Sequence, residues 1–124
     1  MPVLTSPSSP THELPGTRFT SLATPSRGTV DTSVWRVEIA PGTEPVPHEV
    51  TREEMFVIQS GSAAVRLGDE RHRAAAGDVV VVPADTLFEI ANAGDEPLRA
   101  LVCIPVGGQA RGADGVAFTP PWAE

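Results

Sequence analysis

The stretch Gly42-Thr43-Glu44-Pro45-Val46-Pro47-His48-Glu49-Val50-Thr51-Arg52-Glu53-Glu54, with Gly61 after six further residues, decides how this chain is read. His48, Val50 and Glu54 share parity. An extended segment therefore turns all three toward one side. That side would carry one imidazole and one carboxylate beside an aliphatic residue. A second stretch from Gly77 through Pro83 and Asp85 to Phe88 and Asn92 completes the pattern, and there Phe88, Ile90 and Asn92 share parity.

Outward from these stretches the chain alternates in short runs. Thr32 to Ile39 has period two, with Trp35, Val37 and Ile39 on one face and Arg36 and Glu38 on the other. Thr17 to Ala23, Met55 to Ile58, Ala63 to Leu67, Leu87 to Ala91 and Leu98 to Ile104 read as further strands. The run Val79 to Val82 predicts a strand buried on both faces. Thr24 to Asp31 reads as a turn, and Gly68-Asp69 as a hairpin turn. No segment carries ten residues of helical period, and eleven glycines and thirteen prolines punctuate the runs. An all-β sandwich or barrel follows.

At 124 residues one domain is expected, with roughly two-thirds of its unfolded surface buried on folding. Residues 1–16, rich in Pro, Ser and Thr, predict a loose N-terminal arm that includes His12. Residues 17–106 form the barrel. Residues 107–124 form a C-terminal extension in which Phe118 and Trp122 can pack on the barrel or on a partner subunit.

Composition removes several function classes. A net charge of -7 and a pI near 4.8 argue against nucleic acid, because phosphate binding needs clustered cations. All nine basic residues are arginines, which excludes lysine Schiff-base chemistry, and there is no tyrosine to serve as a phenolic acid. The single Cys103 sits in the apolar run Leu101 to Ile104 and reads as a buried residue rather than a nucleophile. No signal-like start and no membrane-length apolar segment is visible, so a cytoplasmic protein with no membrane partner is expected. His72 lies in the polar run Glu70 to Arg73 and is expected to be solvated.

Read as G-x5-H-x-H-x3-E-x6-G, the first stretch resembles the first signature of the cupin family, with Val50 at the second histidine. The stretch Gly77 to Asn92 resembles the second signature, G-x5-P-x-G-x2-H-x3-N, with Asp85 at the glycine and Phe88 at the histidine. The resemblance implies a jelly-roll β-barrel of antiparallel strands with its core motifs at 42–61 and 77–92. It also implies a homodimer, formed through sheet edges or exchanged terminal strands. Carried over by position, the family's four metal ligands fall on His48, Val50, Glu54 and Phe88, which leaves only His48 and Glu54 as donors. Any third ligand would have to come from Glu38, Glu49, Glu53, Asp85 or Glu89, none at a family ligand position.

The expected site is an apolar pocket holding His48 and Glu54 among Val50, Phe56, Ile58, Phe88 and Ile90. Arg36 and Glu38 either face this pocket or form a cross-strand ion pair outside it. If Glu54 bonds one ring nitrogen of His48, the other nitrogen becomes a general base or acid. Apolar surroundings would raise the carboxyl pKa and lower that of the imidazole. Three readings stay open. The first is a lyase, isomerase or cyclase of small-molecule metabolism that needs no cofactor. The second is a metal-dependent dioxygenase or decarboxylase in which His48, Glu54 and substitute ligands hold Zn, Fe, Mn or Ni. The third is a barrel that binds a small-molecule ligand without catalysis.

Overall fold

The computed structural model describes residues 3–124. Met1 and Pro2, part of the expected loose arm, lie outside the described residues. The chain begins with β1 (His12–Leu14), β2 (Thr17–Ala23) and β3 (Thr32–Ile39), with a single helical turn at Pro25–Arg27 between the last two. Then come β4 (Glu49–Val50), β5 (Glu54–Ser60), β6 (Ser62–Leu67), β7 (Glu70–Ala75), β8 (Val79–Val82) and β9 (Phe88–Asn92). The strands β10 (Leu98–Pro105), β11 (Ala110–Arg111) and β12 (Ala117–Phe118) precede a closing turn at Pro121–Ala123.

Pairing is antiparallel throughout. One sheet has the order β1-β2-β3-β10-β5-β8, a second β7-β6-β9, and a third β12-β11-β4. The six-stranded sheet and the β7-β6-β9 sheet form the two sides of a jelly-roll barrel, and alternate residues of their strands point into it. Inward-facing Trp35, Val37, Ile58, Val65, Val82 and Val102 are all buried. Sheet crossing is sharp at Gly61, between β5 and β6. Its φ is +85°, and an added Cβ would lie 2.8 Å from the Pro97 carbonyl oxygen and 2.9 Å from Leu98 Cα. Only glycine fits so close a backbone approach, which accounts for the residue that ends the first signature.

Three expectations change. His12 to Leu14 is not loose: the segment pairs with β2, and the His12 ring meets Trp122 edge-on at 6.4 Å. The valine run of β8 is not buried on both faces. It sits at the edge of its sheet with Val80 and Val82 inside, while Val79 and Val81 are 52% and 43% exposed. Cys103 is half-buried and points outward, because inward-facing Val102 and Ile104 flank it. The polar strand β7, which carries exposed His72, has no apolar run to mark it in sequence. The C-terminal extension folds back on the barrel. Ser21 Oγ donates to the Trp122 carbonyl and Ser33 Oγ to the Ala123 carbonyl, each at 2.8 Å.

Candidate functional site

The two signature stretches meet through their backbones. His48 N donates to the Phe88 carbonyl at 3.0 Å, and Phe88 N donates back to the His48 carbonyl at 2.9 Å. Two residues on, Asp85 N donates to the Val50 carbonyl at 2.8 Å. Asp85 adopts φ 60° there, the left-handed conformation that suits glycine and is tolerated by Asp.

A cavity of about 320 Å³ opens at this junction. His48, Val50, Glu54, Phe56, Phe88 and Ile90 all line it. Ile58 shares the inward face of β5 but is packed in the core beyond the cavity wall. Arg36 and Glu38 do not enter it. Both project from the outer face of β3, where Glu38 Oε1 accepts from Arg99 Nε at 2.7 Å. The inner face of the same strand gives the cavity Trp35, Val37 and Ile39 instead.

Glu54 is 5% exposed, and no hydrogen bond or ion pair reaches its carboxyl group among the described residues. Loss of water around the charged form pushes its pKa up to about 8. At neutral pH this side chain is therefore mainly a carboxylic acid, a hydrogen-bond donor rather than an anion. His48 does not bond to it. The imidazole Nδ1–H donates to the Val46 carbonyl at 2.9 Å, and a carbonyl can only accept. In the neutral ring this fixes the proton on Nδ1 and leaves Nε2 as the acceptor. The ring of His48 also packs on Phe88, with centroids 4.4 Å apart. The expected Glu54–His48 hydrogen bond is thus replaced by a backbone contact that orients the ring in its place.

The donor set does not fit a metal. Family ligand positions 50 and 88 are hydrocarbon: Val50 is 2% exposed and Phe88 1%. A catalytic zinc site takes three protein ligands, and an iron facial triad takes two imidazoles and a carboxylate. Here one imidazole and one carboxyl group remain. The substitutes are engaged elsewhere: Glu38 with Arg99, Glu49 and Asp85 with Arg111, and Glu89 with Arg66. Glu53 is exposed. Among the described residues no group of three or more His, Cys, Asp or Glu side chains is arranged to hold an ion.

The C-terminal extension supplies a wall that sequence parity did not mark. Gln109, Phe118 and Trp122 line the cavity, and Trp122 stacks on Phe19 with centroids 3.7 Å apart and planes 8° from parallel. The one signal was the presence of two aromatics in a tail otherwise rich in glycine and proline.

Comparisons agree with this architecture. A family profile described as the cupin domain matches residues 35–104, more than half of the chain. An uncharacterized protein of Methanocaldococcus jannaschii is 34% identical over 53 residues, or 43% of this chain and 42% of that protein. The match thus spans less than half the length of that curated relative. The cupin domain of Cnp3 from Schizosaccharomyces pombe superposes with a TM-score of 0.62 at 20% identity, covering 82% of this chain and 68% of that one. The polyketide cyclase RemF from Streptomyces resistomycificus gives a TM-score of 0.70 at 17% identity, covering 89% and 80%. At these identities the structural likeness concerns the fold alone.

Proposed function

The chain belongs to the cupin family, and from that premise we propose that it is a small-molecule-binding barrel that works without metal, using His48 and Glu54 as an acid–base pair. The observation that carries this reading is that both side chains open on one apolar cavity while Val50 and Phe88 occupy the other family ligand positions. Chemistry of the pair follows from its two protonation states. His48 Nε2 can take a proton from carbon next to a carbonyl, while the Glu54 carboxylic acid protonates the carbonyl oxygen, giving an enol. Return of a proton at another carbon isomerises, expulsion of a neighbouring group eliminates, and attack of the enol carbon on a second carbonyl closes a ring. The likeness in fold to a polyketide cyclase supports this class of lyase, isomerase or cyclase. A cytoplasmic setting belongs to the same reading, supported by the single unpaired Cys103. No helix among the described residues is long and apolar enough to cross a membrane.

The test combines metal content with proton exchange. The untagged protein is loaded with divalent metals, desalted and assayed by elemental mass spectrometry. Deuterium exchange next to the carbonyl of a panel of small ketones is followed by NMR in D2O. Far less than one metal per chain, with exchange that resists chelators and vanishes in His48→Ala, supports the reading. About one metal per chain would overturn it. The absence of a hydrogen bond between His48 and Glu54 favours a second reading, a barrel that only binds. Ligand binding without exchange in any ketone would establish that alternative.

The partner proposed is a second copy of the chain. Edge strand β8 is four valines without the charge, proline or bulge that ordinarily blunts an edge. Two-fold pairing along this edge would be self-complementary and would cover Val79 and Val81. Light scattering of the wild type and Val81→Asp tests it: a dimer turned monomeric supports the pairing, and a monomeric wild type rules it out.

A further inference from the structure

Every aromatic side chain in this protein, four Phe and two Trp, faces the same cavity: Phe19, Trp35, Phe56, Phe88, Phe118 and Trp122. These rings come from five separate strands and the closing turn at Pro121–Ala123. Burial in a barrel of this size needs no such concentration, since the core around Ala63, Val65, Val80, Val102 and Leu98 is aliphatic. The rings also keep varied mutual angles: Phe19 and Trp122 stack, while Phe56 meets Phe88 at 63° with centroids 6.1 Å apart. Such walls offer both faces and edges to a flat guest. At about 320 Å³ the space is at the small end of ligand sites, room for a guest of about two fused rings.

Charge narrows the guest further. None of the nine arginines lines the cavity, so no fixed cation there can pair with a carboxylate or phosphate. Its ionisable groups are Glu44 at the exposed rim, His48 and Glu54. Glu54 is buried, lines the cavity and has no hydrogen-bond or ion-pair partner among the described residues. A buried polar group left unmatched is costly, so a guest that accepts its hydrogen bond is favoured.

We infer that the ligand is an uncharged, flat aromatic molecule of about two rings, whose carbonyl oxygen accepts a hydrogen bond from Glu54. The inference rests on the reading of this cavity as the small-molecule site and names the class of molecule it takes. An acidic analogue is rejected, because its charge would lie in hydrocarbon beside a carboxyl group. A saturated analogue loses the ring contacts.

Four probes test the assignment: 2-acetonaphthone, 2-naphthoate, 2-ethylnaphthalene and saturated 2-acetyldecahydronaphthalene. Binding at neutral pH to the full chain is followed by fluorescence of Trp35 and Trp122, its only tryptophans. The ketone is expected to bind at least tenfold tighter than 2-naphthoate and than the saturated ketone. Glu54→Leu, which keeps an apolar wall, should weaken 2-acetonaphthone at least fivefold and leave 2-ethylnaphthalene within twofold. Glu54→Gln, which keeps a donor, should hold the ketone within threefold of the wild type. Naphthoate binding as tightly as the ketone overturns the inference. So does equal binding of the saturated ketone, or a Glu54→Leu effect that is absent or common to ketone and hydrocarbon. If the hydrocarbon binds and the ketone ignores Glu54, the cavity remains the binding site and only the ligand class fails. If no probe binds, the reading of the cavity fails with it.

Discussion

His48 and Phe88 form a reciprocally hydrogen-bonded backbone pair, at 3.0 and 2.9 Å, and their rings pack 4.4 Å apart. Directly opposed residues on antiparallel segments project to the same side. Position 88 therefore already holds the geometry from which an imidazole could meet the one at 48. Val50, two residues along and buried, shares that side. The double variant Val50→His with Phe88→His should bind about one divalent metal per chain, read by elemental mass spectrometry after loading. Without metal, two imidazoles in hydrocarbon and the loss of Phe88 packing should cost several kcal/mol, on the order of 3–5 for the phenylalanine alone. Added zinc should recover much of the lost melting temperature. A folded variant that takes up no metal would show that the pair does not converge on Glu54.

Burial of Glu54 gives stability a definite pH slope. Its pKa rises from 4.5 in the unfolded chain to about 8 in the folded one through desolvation. Between those values the unfolded state releases a proton that the native state keeps. Stability therefore falls as pH rises through the window, and is independent of this group below and above it. At about 1.4 kcal/mol per pH unit, the loss by neutral pH is on the order of 3 kcal/mol. Glu54→Gln carries no such proton. It should match the wild type near pH 4 and exceed it increasingly toward pH 8 in urea unfolding. Parallel pH profiles for the two proteins would mean that the carboxyl group is solvated.

Legibility of the fold and of the site differed for physical reasons. Period-two alternation in Thr32 to Ile39 separated Trp35, Val37 and Ile39 from Arg36 and Glu38, and Gly61, Gly77 and Pro83 supplied the frame, because turns and close approaches restrict which residues can stand there. The parity of His48, Val50 and Glu54 carried through the irregular stretch between β4 and β5 to one cavity. Parity could not say which side of β3 was inside for Arg36 and Glu38, since either face of an isolated strand can be the buried one. Nor could it find the Val46 carbonyl that holds His48, because a backbone acceptor leaves no residue signature. The valines of β8 misled because an apolar run looks the same at an edge as at the centre of a sheet. The tail's contribution depends on contacts about a hundred residues apart in sequence, such as Ser21 with Trp122.

Asp85 combines two opposing terms. Its φ of 60° disfavours a side chain by about 1 kcal/mol relative to glycine. Against that, its carboxylate accepts from both terminal nitrogens of Arg111, at 3.1 and 3.0 Å, in an exposed ion pair that contributes about 0.2–1 kcal/mol. Asp85→Gly trades one term for the other and should change stability by less than about 0.5 kcal/mol. Asp85→Ala keeps the strain and loses the pair, and should cost about 0.2–1 kcal/mol. Urea denaturation of both variants distinguishes the terms. Equal losses in the two would mean that the ion pair alone matters.

The C-terminal turn closes the cavity with one stacked ring and two backbone carbonyls. Trp122 covers Phe19 at 3.7 Å, and the buried Ser33 hydroxyl satisfies the Ala123 carbonyl. Trp122→Ala removes the stacked area and opens the wall, and should cost about 2–4 kcal/mol. Trp122→Phe keeps a flat ring over Phe19 and should recover more than half of that. Ser33→Ala leaves the Ala123 carbonyl without its donor, at a cost of about 1–3 kcal/mol. Because both act on one segment, their double variant should cost less than the sum of the singles. The coupling is measured in a thermodynamic cycle by chemical denaturation. Strict additivity would mean that ring and carbonyl anchor the tail independently, and that the segment does not move as one unit.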